Sequence, residues 1–194
     1  MEISTDAEAA NVTAPTQLSA LVAGFDRWAE GPFARLRGNK GTDRVFYAAT
    51  EAANFSALWH AMAWVPVLVS PSPQRLLRAG GTSAALVAES LVVNGPIKSS
   101  FRRARPVLEE GTQRPHRLRQ PRSTSFPSGH ASAAMVAALV MGRGRHRLTR
   151  AALLALAAFV ASSRIYVKIH HASDVLGGAL IGIVLGRVLR RLVP

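Results

Sequence analysis

The apolar positions of this chain fall into one amphipathic stretch and five apolar runs, separated by polar or charged segments. Between residues 16 and 37, Leu18, Leu21, Val22, Phe25, Trp28, Ala29, Phe33 and Leu36 recur at helical spacing, which Gly31-Pro32 is expected to interrupt. Arg27, Arg35 and Arg37 interleave with them. That is the pattern of a helix lying at a membrane interface, or of one packed on a domain surface. The five apolar runs cover roughly residues 54–70, 82–97, 129–142, 149–165 and 173–189. Several are shorter than the ~20 residues a free-standing span needs, but a bundle tolerates short spans whose ends line a polar cavity. The pattern predicts an all-α integral membrane bundle of about five transmembrane helices plus an N-terminal amphipathic helix. Residues 1–15 read as a disordered tail and 16–194 as a single domain.

Polar residues inside apolar runs draw the eye first. His60 lies in the first run, and Glu89 and Asn94 in the second. His60 and Glu89 are expected to make interhelical hydrogen bonds, and Asn94 to lie near a polar site.

Composition changes the picture in two ways. The chain of 194 residues contains no Cys, which excludes disulfides, thiolate metal sites and cysteine nucleophiles. The net charge is +13, and it is unevenly placed. Residues 1–51 hold seven acids and five bases, whereas the remainder holds four acids and nineteen Lys or Arg. A basic chain invites a nucleic-acid reading. Here, however, cations flank apolar spans and aromatics for stacking on bases are few, so membrane lipids are the expected partners and nucleic acid is not. The first residues have neither a basic start nor an apolar core, so insertion by internal spans is expected.

Three acid-free basic segments suggest the orientation. They hold Arg75 and Arg78, then Arg143, Arg145, Arg147 and Arg150, then Arg187, Arg190 and Arg191. The positive-inside rule assigns these to the cytoplasm. Residues 98–123 would then lie on the outer face of a bacterial plasma membrane, where their own cations have a second use in binding anions.

That use is chemical. In Pro127-Ser128-Gly129-His130, Ser128 reads as a helix cap and Gly129-His130 as the start of an apolar helix. A helix N-terminus binds phosphate, and glycine lets the anion approach the backbone. His130 is suited to protonating a leaving alkoxide. In residues 163–174, Ser173 reads as the cap of the next helix, with Asp174 in its first turn and His170 four residues earlier. A carboxylate that accepts from one imidazole nitrogen frees the other as a nucleophile, for which His170 and His171 compete. A metal set of His130, His170, His171 and Asp174 is the rival chemistry. Lys98, Arg105 and Arg164 oppose it, since they repel a cation and attract an anion. In residues 98–106, Lys98 and Arg105 supply a point charge and a bidentate fork, the clamp that phosphoryl transfer requires.

Taken together, Lys98, Arg105-Pro106, Pro127-Ser128-Gly129-His130, Ser163-Arg164, His170 and Asp174 form the pattern K-x6-R-P, P-S-G-H, S-R-x5-H-x3-D. This resembles the type-2 phosphatidic acid phosphatase superfamily, over roughly residues 90–185 and more loosely near Phe25-Asp26-Arg27. The resemblance implies a membrane phosphatase of lipid phosphates, such as polyprenyl phosphates, phosphatidate-type lipids or prenyl-linked sugar phosphates. It selects His170 as nucleophile, forming a phosphohistidine, with His130 as acid and base and Asp174 orienting His170. Lys98, Arg105, Ser128, Gly129 and Arg164 would hold the phosphate, with no metal or other cofactor. Lys168 stands where the family often has a small residue, and an extra headgroup contact is expected from it. Two alternatives carry different chemistry. One is a vanadate-dependent haloperoxidase, and the other a non-enzymatic basic protein binding membrane surfaces or nucleic acid.

Overall fold

The computed structural model describes residues 16–107, 118, 121 and 123–193, so the expected N-terminal tail lies outside the described residues. Its helices are α1 (Gln17–Leu36), α2 (Lys40–Ala52), α3 (Ala57–Val69), α4 (Pro73–Val92), α5 (Gly129–Met141), α6 (Arg147–Tyr166) and α7 (Ala172–Leu189). A 3-10 turn, Asn54–Ser56, joins α2 to α3, and a π turn, Val93–Ile97, extends α4 toward Lys98.

α5 is the central helix. It packs against α3, α4, α6 and α7 and buries Ala131, Ser132, Ala133, Ala134, Val136, Ala137, Ala138 and Val140. A helix apolar all round belongs in a core. That explains why this run is only 13 residues long: protein surrounds it. Its partner α7 has two distinct faces. Gly178, Gly182 and Gly186 recur every four residues against α5, and a Cβ on Gly178 or Gly182 would fall 2.3 or 2.4 Å from the backbone oxygens of Ser128 or Ser132. Small residues let the two backbones approach this closely. Leu176, Leu180, Val184 and Val188 line the opposite face and are 52–64% exposed. An apolar stripe turned outward is suited to hydrocarbon rather than to water.

The expected span count is revised. Pro73–Ile97, Arg147–Tyr166 and Ala172–Leu189 are long and apolar enough to cross a membrane. A fourth crossing exists if Lys40–Ala52 and Asn54–Val69, bent by 64°, act as one span. The second run begins at Pro73 rather than residue 82, because Ser72 caps the helix and Pro73 occupies its first turn. Arg75 and Arg78 therefore sit on a helix and not in a loop.

The amphipathic stretch is a helix of 20 residues that continues through Pro32, contrary to the expected break. Phe33, the residue after Pro32, packs edge-on against Phe46 of α2, and Arg37 beyond it donates to the Ile165 and Tyr166 carbonyls, which holds the distal turns in place. α2 itself was not anticipated. Its buried residues, Asp43, Tyr47 and Thr50, are spaced as one helical face, but two of the three are polar, so no apolar periodicity announces the helix. Between α2 and α3, Phe55 and Ser56 adopt positive φ values of 53° and 59°.

His60 and Glu89, the two polar residues expected to bond between helices, both face serines on neighbouring helices. His60 Nδ1 lies 2.9 Å from Ser83 Oγ, which joins α3 to α4. Glu89 faces Ser132 of α5 across the α4–α5 contact, while its Oε1 is buried without a close hydrogen-bond partner.

Candidate active site

The C-terminal ends of α4 and α6 and the N-terminal ends of α5 and α7 meet at one end of the bundle. The segment after α4 folds back on the residues before α5: Arg103 N–H donates to Thr124 Oγ1 at 2.8 Å, and Ser125 N–H donates to the Arg103 carbonyl at 2.8 Å. This pairing brings the first motif to the second, and Ser128 N–H, donating to the Asp174 carbonyl at 3.0 Å, joins the second to the third. His130 lies within electrostatic range of Arg164, His170 and Lys98, and Lys98 within range of Arg105, Arg164 and Asp174. The predicted residues therefore converge.

His170 is buried in the turn between α6 and α7. Its Nε2 lies 3.2 Å from Arg105 Nη1. A guanidinium can only donate, so this contact requires an unprotonated Nε2 with its lone pair toward the cations. Nδ1 then carries the proton and faces Asp174 Oδ2 at 3.7 Å, longer than a hydrogen bond. Burial, with Arg164 and Arg105 nearby, pushes the His170 pKa down to about 4, against the opposing effect of Asp174. The imidazole is neutral at physiological pH. His171 serves differently. It precedes α7, and its backbone N–H donates to Asp174 Oδ2 at 2.9 Å. The cap of α7 is thus His171 and not Ser173, because Ser173 is directed at α1.

Asp174 is fully buried and already well satisfied. Arg103 Nη1 donates to Oδ1 at 2.6 Å, and Ser125 Oγ donates to Oδ2. Arg105 is similarly engaged. It donates through Nε to the Ser123 carbonyl, through Nη1 to that of Ile169 and through Nη2 to that of Thr124, at 2.9–3.1 Å.

Ser128 caps α5 by backbone geometry alone, and its buried Oγ has no hydrogen-bond partner. A buried hydroxyl at the positive end of a helix is set to donate to an anion. Gly129 makes room beside it, since a Cβ there would lie 2.9 Å from Asn94 Oδ1. That same oxygen accepts from Lys98 Nζ at 3.3 Å. Burial, with Arg105 and Arg164 nearby, lowers the Lys98 pKa to about 8. Arg164 is buried and donates from Nη1 to Thr50 Oγ1.

Sequence reasoning missed several contributors. Asn54 Oδ1 lies 3.1 Å from His130 Nε2, Thr50 meets Arg164, Ser125 meets Asp174, and Arg103 bridges Asp174 and Asp26. No spacing rule announces these, because each depends on a distant partner. Asp26 did carry a signal, sharing the inward face of α1 with a second acid, Glu30, four residues on. Lys168 pairs with Glu30 of α1 at 3.1 Å. Among the described residues, no three His, Asp or Glu side chains form a set able to hold a metal.

Comparison with known proteins bears on this geometry. The solved structure of Aquifex aeolicus LpxE is similar with a TM-score of 0.67 and 24% identity, covering 88% of this chain and 95% of that one. The transmembrane PAP2 type phosphatidylglycerolphosphate phosphatase from Bacillus subtilis is similar with a TM-score of 0.65 and 21% identity, covering 89% and 86%. Comparison with curated proteins gives no match. The family model described as the PAP2 superfamily matches residues 79–194, a stretch that holds all three motifs. With more than half its length matched and its motif residues converging at one end of an apolar helical bundle, the chain belongs to the PAP2 superfamily, as an integral membrane phosphatase.

Proposed function

We propose that the protein removes a phosphoryl group from a lipid phosphate, a phosphomonoester or diphosphate, through a phosphohistidine on His170. The carrying observation is the 3.2 Å contact between Arg105 Nη1 and His170 Nε2, which points the nucleophilic lone pair at the cations that would hold phosphate. The incoming phosphate takes over this Arg105 N–H and accepts from Lys98, Arg164, Ser128 Oγ and the α5 N-terminal amides beside Gly129. His170 Nε2 then attacks phosphorus in line as the bond to the lipid oxygen breaks. His130 gives its proton to that oxygen, releasing the lipid alcohol, or the lipid monophosphate when a diphosphate is cleaved. In the second half-reaction His130 takes a proton from water, the water oxygen attacks the phosphohistidine, and inorganic phosphate leaves. Asp174 faces Nδ1 and stabilises the cationic imidazole as the phosphorus–nitrogen bond forms.

The cations also explain why the chemistry needs no metal: Lys98, Arg105 and Arg164 supply the charge that a metal would bring, and they repel one. The apolar outer face of α7 fits a substrate whose tail stays in the bilayer while its phosphate reaches the helix ends. The acid-free arginine segments support an extracytoplasmic site. The test is release of inorganic phosphate from polyprenyl phosphate or phosphatidate in detergent containing chelator. His170→Ala and His130→Ala should each abolish release, and His171→Ala should retain it. Chelator-sensitive activity, or turnover by His170→Ala, would overturn the reading.

A further inference from the structure

α1 has one buried residue, and that residue is an acid, Asp26. Its Oδ1 accepts from Ser173 N–H at 2.8 Å, and its Oδ2 accepts from Ser173 Oγ at 3.0 Å and Arg103 Nη2 at 2.6 Å. The other amino group of Arg103 donates to Asp174 Oδ1 at 2.6 Å and to Ser173 Oγ at 2.6 Å. One guanidinium therefore ties α1 to the carboxylate behind His170. The outward face of α1 is apolar: Leu18, Leu21 and Trp28 are 71–76% exposed, and Phe25 packs on Trp28. A helix with such a stripe is held by the membrane interface.

Resting on the reading above, we propose that Asp26 and Arg103 are positioning residues, which link the seating of α1 on the bilayer to the placement of Asp174 and hence to the reactivity of His170. Arg103 neutralises Asp174 from the side away from His170. Four groups face that imidazole: Asp174 from α7, Arg105 from the segment after α4, Arg164 from α6 and His130 from α5. With Arg103 removed, Asp174 acts on His170 without its counter-charge and favours the imidazolium, which cannot attack phosphorus.

The experiment uses the full chain in vesicles with a lipid phosphate, and compares wild type, Arg103→Gln, Arg103→Lys, Asp26→Asn and the double variant Asp26→Asn/Arg103→Gln. Arg103→Gln should move the acid limb of the pH–rate profile to higher pH, lowering kcat at least tenfold on that limb while leaving KM within twofold. Arg103→Lys should recover part of the loss and return the acid limb toward wild type. Asp26→Asn should show a smaller loss in kcat, and the double variant should be no worse than Arg103→Gln alone, since both break one bridge. Leu21→Asn, on the exposed stripe, should lower activity in vesicles but add nothing in the Asp26→Asn background. An unshifted acid limb, additive losses, or a rise in KM alone would overturn the inference. So would a Leu21→Asn effect that persists without Asp26. Turnover by His170→Ala would instead sink the catalytic reading itself.

Discussion

The two ends of the bundle are both rich in cations, yet they handle them in opposite ways. At the catalytic end Lys98 and Arg164 are buried, and Arg103 and Arg105 are locked between carboxylates, carbonyls and an imidazole. At the other end Arg75, Arg78, Arg143 and Arg145 border a cleft floored by Met62, Val140 and Leu153. All four are exposed, and the partners of Arg75 and Arg143 are backbone carbonyls at Ser70, Arg190 and Val193. Charge count does not separate these ends. Burial and partners do, because a cation taken out of water is retained only where something repays its desolvation. At the catalytic end carbonyls and carboxylates supply part of that compensation, and in the proposed mechanism an arriving phosphate supplies more. At the other end the arginines stay hydrated, where they can direct topology without taking part in chemistry.

The contrast can be broken by substitution. The largest effect is expected from Arg164→Ala, which should reduce kcat/KM by about a thousandfold, the scale of losing a preorganised charge at a developing oxyanion. Steady-state assay in detergent checks it. Gly182→Val should come next. It would place a side chain against the Ser132 backbone, separating α5 from α7, and the usual cost of overpacking is about 1–3 kcal/mol. A thermal melt in detergent should show a lower Tm together with reduced activity, since the motif residues ride on these two helices. A third effect depends on pH. Lys98, with its pKa lowered to about 8, is charged below that value and loses its charge above it. KM for a phosphomonoester should therefore rise as pH increases through about 8, and Lys98→Arg should flatten that rise. The smallest effect belongs to the opposite end, where Arg145→Gln should leave kcat/KM within about twofold because surface charges contribute little.

The same contrast explains what was legible in the sequence. Lys98, Arg105, His130, Arg164 and Asp174 were named from motif spacing, the choice of His170 over His171 came from the family resemblance, and the fold brings these residues to one end of the bundle. α7 could be read from its apolar length. α5 was read as a span like the others, since hydropathy does not distinguish burial in protein from burial in lipid. α2 and the Asp26–Arg103 bridge were illegible for a different reason. Their polar residues gain meaning only from partners 70 or more positions away, as with Arg103 to Asp174 and Asp26. The role of Ser173 was misassigned by local rules alone, because a serine beside a helix start satisfies the capping pattern whether or not an acid on another helix claims it.

The central claim is that His170 carries the phosphoryl group. Rapid-quench trapping during turnover of a phosphorus-labelled lipid phosphate tests it most directly. Label that is acid-labile and base-stable, maps to the peptide containing His170 and is absent from His170→Ala, is the expected result. Turnover without such a covalent species, or label that persists in His170→Ala, would contradict it.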